Sequence, residues 1–520
     1  MRCAIATPHR LATDAGAEIF RDGGNAIDAA LAAAAALTVL YPHQCSIGGD
    51  IMALIAQPDG ALTALNGSGA AALACSPETL RRQSPQMPLR GPMPITVPGA
   101  VGAWESMARI ARLPIAVALA PAIKFAAEGV PVARSLDHAL RKLPELLSDP
   151  GMGSTFSLNG QPLTEGDLLR QPSLARSLRS IAADGASVLY GGELGRRLIE
   201  GLNALGSPLS LEDLEHHETE ITTPIARTYQ DVEVVTTRPN SQGFVLLEIL
   251  AALAHLDEVP DPLGKHAPML AEICRLASRD RDRYLADPRF KDVPLTEILS
   301  ERYGAELLDR ARTRLEAGTD VGTETAIPKG DTVAVVTADT EGNAASVIQS
   351  IFHTFGSGIL EPDTGILLHN RGASFNLDPD SPNVLVAGKR PLHTLMPVMI
   401  RRGTELIGVQ GAMGGKAQPQ IHLQLLLRTL RSESAADALA APRWVVGGLE
   451  EGEPTDVLHV ERSAGEALLK DLARTGLPIV LLEDRDEEVG HGQLINQRAT
   501  GQMDAGTDPR ADGSVSIASR

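Results

Sequence analysis

Apolar residues recur at helical spacing through residues 12–40 and again from about residue 98 to residue 288. A Gly-Gly-Asn sequence at 23–25 separates two helices in the first of these stretches. The second helix, 26–40, is almost all alanine, so its backbone can approach neighbouring elements closely and we expect it to be buried. Further helices are predicted at 100–112, 114–127 and 244–256, the last capped by Asn240 and Ser241.

The pattern changes at Thr332, where β-branched and apolar residues become dominant. Residues 332–338 and 344–352 predict two strands joined by a turn. The preceding stretch, 311–329, is polar and rich in Thr, Gly and Glu, and it predicts a mobile loop. Other predicted elements are strands at 51–56, 365–368, 384–386, 398–401 and 405–410, and a helix at 418–430. Because helices come first and strands gather late, the order favours an α+β fold with layered αββα architecture.

Composition constrains the core and the binding partners. The 520 residues are 43% hydrophobic but only 3% aromatic, so a large core must be built from Ala, Leu, Val and Ile. The formal net charge is −18, and the sequence contains no run of clustered Lys and Arg residues. Binding to a nucleic acid or to an anionic membrane needs clustered positive charge, so we expect neither as a partner.

The four cysteines (Cys3, Cys45, Cys75 and Cys274) show no CxxC spacing and do not form a disulfide framework. We expect buried free thiols in a reducing compartment. The N-terminus lacks the pattern of a secretory signal, and the most apolar segment is too short to cross a bilayer. These features predict a cytoplasmic protein.

Several chemistries have no motif in this sequence. HExxH, GxxxxGK[ST], GxGxxG and GxSxG are all missing, and residues 411–416 have the wrong spacing for a phosphate loop. The adjacent His216 and His217 point to different sides of any helix, so they are poor joint ligands. We therefore expect neither a metal site nor a bound cofactor.

Thr332 stands where the polar stretch meets the first predicted strand, after Lys329-Gly330-Asp331. A threonine hydroxyl is a weak nucleophile unless a base lies beside it, and an N-terminal threonine supplies that base as its own α-amine. Taken alone, a threonine that opens a strand reflects β propensity. Gly414 and Gly415 follow the predicted strand 405–410, where two backbone N–H groups could stabilise an oxyanion or could form a simple tight turn.

Together these positions resemble the γ-glutamyltranspeptidase family of N-terminal nucleophile hydrolases. The resemblance extends over the whole chain and is most specific between Gly330 and residue 367. The matching blocks are residues 23–30, 46–50, 95–101, 239–243, 330–332, 341–344, 355–358, 364–367, 388–391, 413–415 and 508–510.

The resemblance implies a four-layer αββα sandwich and a precursor that cuts itself between Asp331 and Thr332. The products would be a large subunit, 1–331, and a small subunit, 332–520. Thr332 takes the role of nucleophile and, through its α-amine, of base. Gly414 and Gly415 become the oxyanion donors, and Ser350 is the hydroxyl residue that the family places near the nucleophile.

The resemblance is incomplete in the pocket for a γ-glutamyl group. Ser68 stands near the place of the arginine that binds the substrate α-carboxylate, and Ser374 replaces the acidic residue that binds its amino group. The family's paired serines are His393 and Thr394 here, and a family asparagine is Phe352. The nucleophile machinery is kept, whereas the glutamyl pocket is largely replaced.

The Asn-Arg-Gly block at Asn370 and the His-Thr-Leu block at His393 are similar to those of oxamate amidohydrolases and related acylases. This similarity implies hydrolysis of a small carboxylate-bearing amide through an acyl-enzyme on Thr332. Arg371 is the candidate anion-binding residue, although it could instead form a structural ion pair. Asn370, His393 and Thr394 are candidates for the remaining contacts to the substrate.

Three alternatives remain at this point: a true γ-glutamyltransferase or glutathione hydrolase, a cephalosporin or glutaryl acylase, and an uncut, inactive homologue that only binds. The expected partners are a small amide and the two subunits of one precursor. Association of several copies into a homo-oligomer is left open.

Overall fold

Two stacked antiparallel sheets form the centre of the computed structural model, which describes residues 2–317, 331–448, 454–497 and 501–519. The seven-stranded sheet has the order Ser514–Ser519, Arg2–Thr7, Asp331–Asp339, Ala344–Phe352, Asp50–Ala56, Leu62–Gly67, Glu220–Thr222. The six-stranded sheet has the order Met503–Thr507, His491–Gln497, Glu405–Met413, Val398–Arg402, Val232–Thr236, Ile225–Tyr229. A three-stranded sheet contains Trp444–Val446, Leu458–Glu461 and Ile479–Leu482.

Helices cover the outer face of each large sheet. The helices on the seven-stranded sheet include Arg10–Arg21, Ala26–Leu40, Ala100–Ala108, Ile115–Glu128, Arg134–Lys142, Pro150–Phe156, Pro172–Asp184 and Glu193–Ala204. Those on the six-stranded sheet include Gly243–Leu253, Ala267–Tyr284, Glu301–Ala317 and Gln418–Leu430. Shorter helices occur at Pro77–Gln83, Leu211–Glu215, Leu295–Ile298, Ala435–Ala440 and Gly465–Leu472.

The side chains of the Asp331–Asp339 strand show how the layers are assembled. Val333 and Val335 pack with the first group of helices, whereas Val336 and Ala338 pack against residues of the other sheet. Successive side chains of a strand point to opposite faces, so this strand is buried on both sides. The predicted four-layer αββα sandwich is confirmed.

The alanine-rich helix Ala26–Leu40 supports this strand from behind. All 15 of its residues are buried, as predicted, and Asn25 and Asp28 form a capping box at its N-terminus. Thr337 in the strand donates a hydrogen bond of 2.7 Å to the carbonyl oxygen of Ala26. Because alanine side chains are short, the helix can lie close to the sheet and fix the strand that carries Thr332.

Three predictions made from the sequence were wrong in detail. The loop predicted at 311–329 begins as helix, because Glu301–Ala317 is helical and buries Leu307, Leu308 and Ala311, while residues 318–330 lie outside the described part. Residues 384–386 form no strand, and Val384 makes one isolated bridge to Asn376. The helix Gly243–Leu253 begins after Gln242. Ser241 accepts a hydrogen bond of 3.3 Å from the N–H of Gly243, as a capping residue does, whereas the Asn240 side chain bonds to Asn66 and Pro391.

All four cysteines are free thiols, and three of them are buried. Within the described residues, no helix has both the length and the apolar character that a membrane span requires. The cytoplasmic location stays a prediction.

A buried ionic cluster stabilises the C-terminal part of the fold. Asp508 lies 2.9 Å from guanidinium nitrogens of both Arg443 and Arg510, and Glu461 also pairs with Arg510. Asp508→Ala leaves two buried guanidinium groups short of negative charge, so we expect the free energy of unfolding to fall by about 3–5 kcal/mol. Urea denaturation measures this change. Arg302→Ala, which removes an exposed ion pair, is the control and should change stability by less than about 1 kcal/mol.

Candidate active site

Thr332 occupies an irregular position at the start of its strand. The register with the neighbouring strand shifts between Asp331 and Val333, so that Thr332 alone lies opposite both Ser350 and Ile351. Thr332 is 1% exposed, and its Oγ1 has no hydrogen-bond partner among the described residues. The hydroxyl predicted to act as nucleophile is therefore buried and is not bound to a neighbouring group.

Ser350 faces the bond between Asp331 and Thr332 from the adjacent strand. Its hydroxyl donates a hydrogen bond of 2.6 Å to the carbonyl oxygen of Asp331 and accepts one of 2.8 Å from the N–H of Phe352. The Asp331 carboxylate accepts a hydrogen bond from the Thr354 hydroxyl. The backbone and the side chain of Asp331 are thus both held in place.

Arg371 lies behind Ser350 and has no exposed surface. Its Nη2 donates to the Ser350 hydroxyl at 3.2 Å, and its Nη1 donates to the Thr394 hydroxyl at 3.3 Å. The guanidinium carbon is 4.2 Å from the centre of the Phe352 ring, which is a cation–π contact. Burial lowers the pKa of Arg371 to about 10, so its side chain remains a cation at neutral pH.

Asp50 supplies the opposite charge and lies directly across from Ser350 in the strand pairing. Its Oδ2 lies 3.1 Å from Nε2 of His393, 3.2 Å from Nδ1 of His369 and 3.5 Å from Nε of Arg371. Burial by itself raises the pKa of the Asp50 carboxyl, but the effects of His369 and His393 outweigh it and hold this pKa well below its usual range. We call Asp50, His369, Arg371 and His393 the Asp50 cluster.

The two histidines of the Asp50 cluster differ in the partners of their other ring nitrogen. Nδ1 of His393 accepts from the N–H of Leu395 at 3.4 Å, which assigns its proton to Nε2. Burial, together with the charge of Arg371, lowers the pKa of His393 to about 4, so this ring is neutral at pH 7. Nε2 of His369 faces the carbonyl oxygen of Thr96 at 2.8 Å.

The Gly414–Gly415 turn follows the Glu405–Met413 strand and needs glycine at both positions. Their φ angles are 152° and 52°, and a Cβ on Gly414 would lie 2.4 Å from a methyl group of Ile421. Gln242 joins this turn to the site, because its side-chain amide donates to the carbonyl oxygens of Gly415 at 2.9 Å and Thr394 at 2.7 Å. A continuous series of contacts therefore leads from the turn through Thr394, Arg371 and Ser350 to Asp331.

Asn370 and the two serines of the replaced glutamyl pocket bond to nearby groups. The Asn370 amide accepts from the N–H of His353 and donates to the carbonyl oxygen of Leu89, so it holds a loop beside the site. Ser68 donates to Asn66, and Ser374 donates to the carbonyl oxygen of Arg371. A role for Asn370 in substrate binding stays a prediction.

Four residues of the site were not predicted from the sequence. Asp50 lies in one of the blocks that carried the resemblance, yet nothing local marks its carboxylate as the partner of Arg371. His369 comes directly before the Asn-Arg-Gly block, and Phe352 was noted only as a departure from the family. Gln242 also lies in a matching block, which is the signal that the sequence gives for it. Its amide is buried in the structure. Within the described residues, no group of three or more His, Cys, Asp or Glu side chains is arranged to hold a metal ion.

Comparison with known proteins identifies the family of this chain. A family model for gamma-glutamyltranspeptidase matches residues 12–518. The oxamate amidohydrolase proenzyme of Klebsiella pneumoniae is 37% identical over 517 residues, covering 98% of this chain and 97% of that protein. The glutathione hydrolase-like YwrD proenzyme of Bacillus subtilis is 35% identical over 519 residues, with coverage of 98% and 97%.

A solved structure of similar fold is the cephalosporin acylase from Bacillus halodurans, with a TM-score of 0.89 at 34% identity. The alignment covers 99% of this chain and 95% of that chain. These relatives carry different substrates in their names, but they share one family and one class of fold. The chain is an enzyme of the gamma-glutamyltranspeptidase family, within the N-terminal nucleophile hydrolases.

Proposed function

We propose that this enzyme cuts its own chain between Asp331 and Thr332 and then hydrolyses a small amide that bears a carboxylate, as oxamate does. The observation that carries the proposal is the buried Arg371 guanidinium, which lies between the hydroxyls of Ser350 and Thr394. The proenzyme names of the two relatives support a precursor that is cut into two subunits.

In the proposed reaction, the Thr332 hydroxyl attacks the amide carbon of the substrate while its α-amine accepts the hydroxyl proton. The N–H groups of Gly414 and Gly415 stabilise the oxyanion. As the intermediate collapses, the protonated α-amine passes its proton to the leaving nitrogen, so ammonia departs and an ester remains on Thr332. The α-amine then activates water, which hydrolyses the ester and releases the acid.

The charges of the site favour an anionic substrate. Both Nη atoms of the Arg371 guanidinium face neutral hydroxyls, whereas the Asp50 carboxylate lies 3.5 Å from Nε, so a substrate carboxylate supplies the Nη side with a charged partner. A γ-glutamyl group also carries an α-ammonium, and burying that ammonium without a partner costs several kcal/mol. Ser374 offers no charge to it, and the Asp50 carboxylate is already in contact with three donor groups.

We expect kcat/KM for oxamate to exceed that for glutathione by about 100-fold or more, because the site pairs a carboxylate but not an ammonium. Ammonia release measures the first reaction, and release of cysteinylglycine measures the second. A γ-glutamyl anilide and a glutaryl amide complete the panel. A clear preference for glutathione would assign the enzyme to the glutathione hydrolases, and preference for the glutaryl amide would assign it to the acylases.

The remaining alternative is an inactive binding homologue. The sequence keeps both the Asp331-Thr332 pair and the Gly414-Gly415 pair, and a protein that only binds has no need of these residues. If the whole panel is inert although the chain has been cut, the proposal is wrong in its substrate class.

A further inference from the structure

The hydroxyl of Ser350 has a complete set of hydrogen bonds in the uncut chain. It accepts from the N–H of Phe352 at 2.8 Å and from Nη2 of Arg371 at 3.2 Å. A hydroxyl has two acceptor lone pairs and one proton. Since both lone pairs face N–H groups that cannot accept, the proton is directed at its third neighbour, the Asp331 carbonyl oxygen at 2.6 Å.

Arg371 is itself fixed from three directions. The Asp50 carboxylate lies 3.5 Å from its Nε, the Thr394 hydroxyl accepts from its Nη1, and the Phe352 ring covers one face of the guanidinium. Because Arg371 is fully buried, its charge acts on Ser350 through a medium of low polarisability. The contact between the Asp50 carboxylate and Nε restricts rotation of the guanidinium, and it thereby helps to set the direction in which Nη2 points.

We propose that Asp50, Arg371 and Ser350 form a relay that promotes the cleavage of this chain at its own Asp331–Thr332 bond. The inference rests on the proposed function only in requiring self-cleavage there, and it is independent of the later substrate. Ser350 is catalytic for cleavage because it contacts the reacting carbonyl and stabilises the charge that develops on its oxygen. Arg371 and Asp50 are positioning residues, since Arg371 strengthens the Ser350 donor and Asp50 orients Arg371.

The cleavage step balances with water as the only added reactant. Thr332 Oγ1 forms a bond to the carbonyl carbon of Asp331, and the resulting oxyanion accepts from Ser350. The C–N bond then breaks, the proton of the hydroxyl passes to the departing amine, and an ester joins the two residues. Water hydrolyses this ester. Asp331 then ends in a new α-carboxylate, and Thr332 regains its hydroxyl beside a free α-amine.

The rate of cleavage of freshly translated full-length chain, followed on denaturing gels, tests the relay. Ser350→Ala should slow cleavage by about 100-fold, the usual effect of losing one oxyanion donor, and Ser350→Thr should restore most of the rate. Arg371→Gln should slow it by about 10-fold, because a charge-assisted donor becomes a neutral one, whereas Arg371→Lys should lie between Gln and wild type. Asp50→Asn should also slow cleavage.

A matched control tests the effect of losing a buried carboxylate elsewhere. Asp456 lies 3.2 Å from Arg275, and both side chains are almost fully buried, but neither belongs to the relay. The Asp456→Asn chain should cleave itself at the wild-type rate even if its urea midpoint is lower than that of wild type. Equal slowing in Asp456→Asn and Asp50→Asn would attribute both effects to folding and overturn the role of Asp50.

A double-mutant comparison distinguishes a relay from independent effects. If Arg371 acts through Ser350, Arg371→Gln slows wild type but adds little in the Ser350→Ala background. Equal slowing in both backgrounds, or none in wild type, overturns the relay. If Arg371→Gln does not fold, Asp50→Asn in the same two backgrounds decides. A wild-type chain that never cuts refutes the proposed self-cleavage itself, whereas a cut enzyme inert toward oxamate refutes only the substrate.

Discussion

Thr332→Ala should remain a single chain of 520 residues and should lose hydrolysis of oxamate by roughly 10⁶-fold, the scale on which removal of a catalytic nucleophile acts. In the proposed mechanism the same hydroxyl is needed twice, first to attack the Asp331 carbonyl and then to attack the substrate. The measurement is gel electrophoresis for cleavage, N-terminal sequencing of the lighter wild-type product, and ammonia release for activity.

Thr332→Ser and Thr337→Ala are the comparisons for this result. Serine keeps a hydroxyl and should still be cut, more slowly than wild type. Thr337 is a buried threonine of the same strand, and its hydroxyl bonds to the Ala26 carbonyl oxygen outside the site. We expect Thr337→Ala to be cut and active. Cleavage of Thr332→Ala at the same bond would show that another group is the nucleophile.

Arg371→Ala should reduce kcat/KM for oxamate by about 10²–10³-fold, or about 3–4 kcal/mol, which lies within the range of about 2–5 kcal/mol that truncating one partner of a buried charge pair costs. Since Arg371 is also expected to promote self-cleavage, rates are expressed per molecule of cut chain. Oxamide, in which an amide replaces the carboxylate, is the matched neutral substrate. Wild type should prefer oxamate, and Arg371→Ala should lose that preference.

The pattern of the two substrates separates binding of the carboxylate from a general defect. If Arg371→Ala lowers turnover of oxamate and oxamide equally, Arg371 supports the structure of the site and does not bind the carboxylate. If it leaves oxamate turnover unchanged, the carboxylate binds elsewhere. Thr394→Val removes the hydroxyl that accepts a hydrogen bond from Nη1 of Arg371. It should lower kcat/KM for oxamate by a smaller factor than Arg371→Ala does.

Much of the fold was predictable because its central strands are apolar on both faces. Val333, Val335, Val336 and Ala338 form one uninterrupted apolar run, which identifies a buried strand but does not show which face meets the helices. The helical structure of residues 311–317 was not predicted because only Ala311 of this last helical segment is buried. The apolar periodicity there was too weak to indicate a helix. Residues 384–386 look like a strand, but no neighbouring strand pairs with them.

The site was predictable where its chemistry lies close along the chain. Asp331, Thr332 and Ser350 belong to adjacent strands joined by a short turn, so the hairpin itself brings them together. Asp50 meets His369 and Arg371 because its strand pairs with that of Ser350 and because Gly48 bridges to Leu368, contacts that span about 300 residues. Strand order over such a separation has no local signal, and the charge balance of the pocket could therefore not be read from the sequence.

The burial of Thr332 and Arg371 has a consequence for the dormant precursor. With 1% and 0% of their surfaces exposed in the continuous chain, neither the hydroxyl proposed as nucleophile nor the guanidinium proposed to bind the anion is open to a dissolved molecule. An electrophilic inhibitor therefore has nothing to modify until the bond at residue 331 opens. Covalent staining of a mixed population should therefore count only the cut molecules.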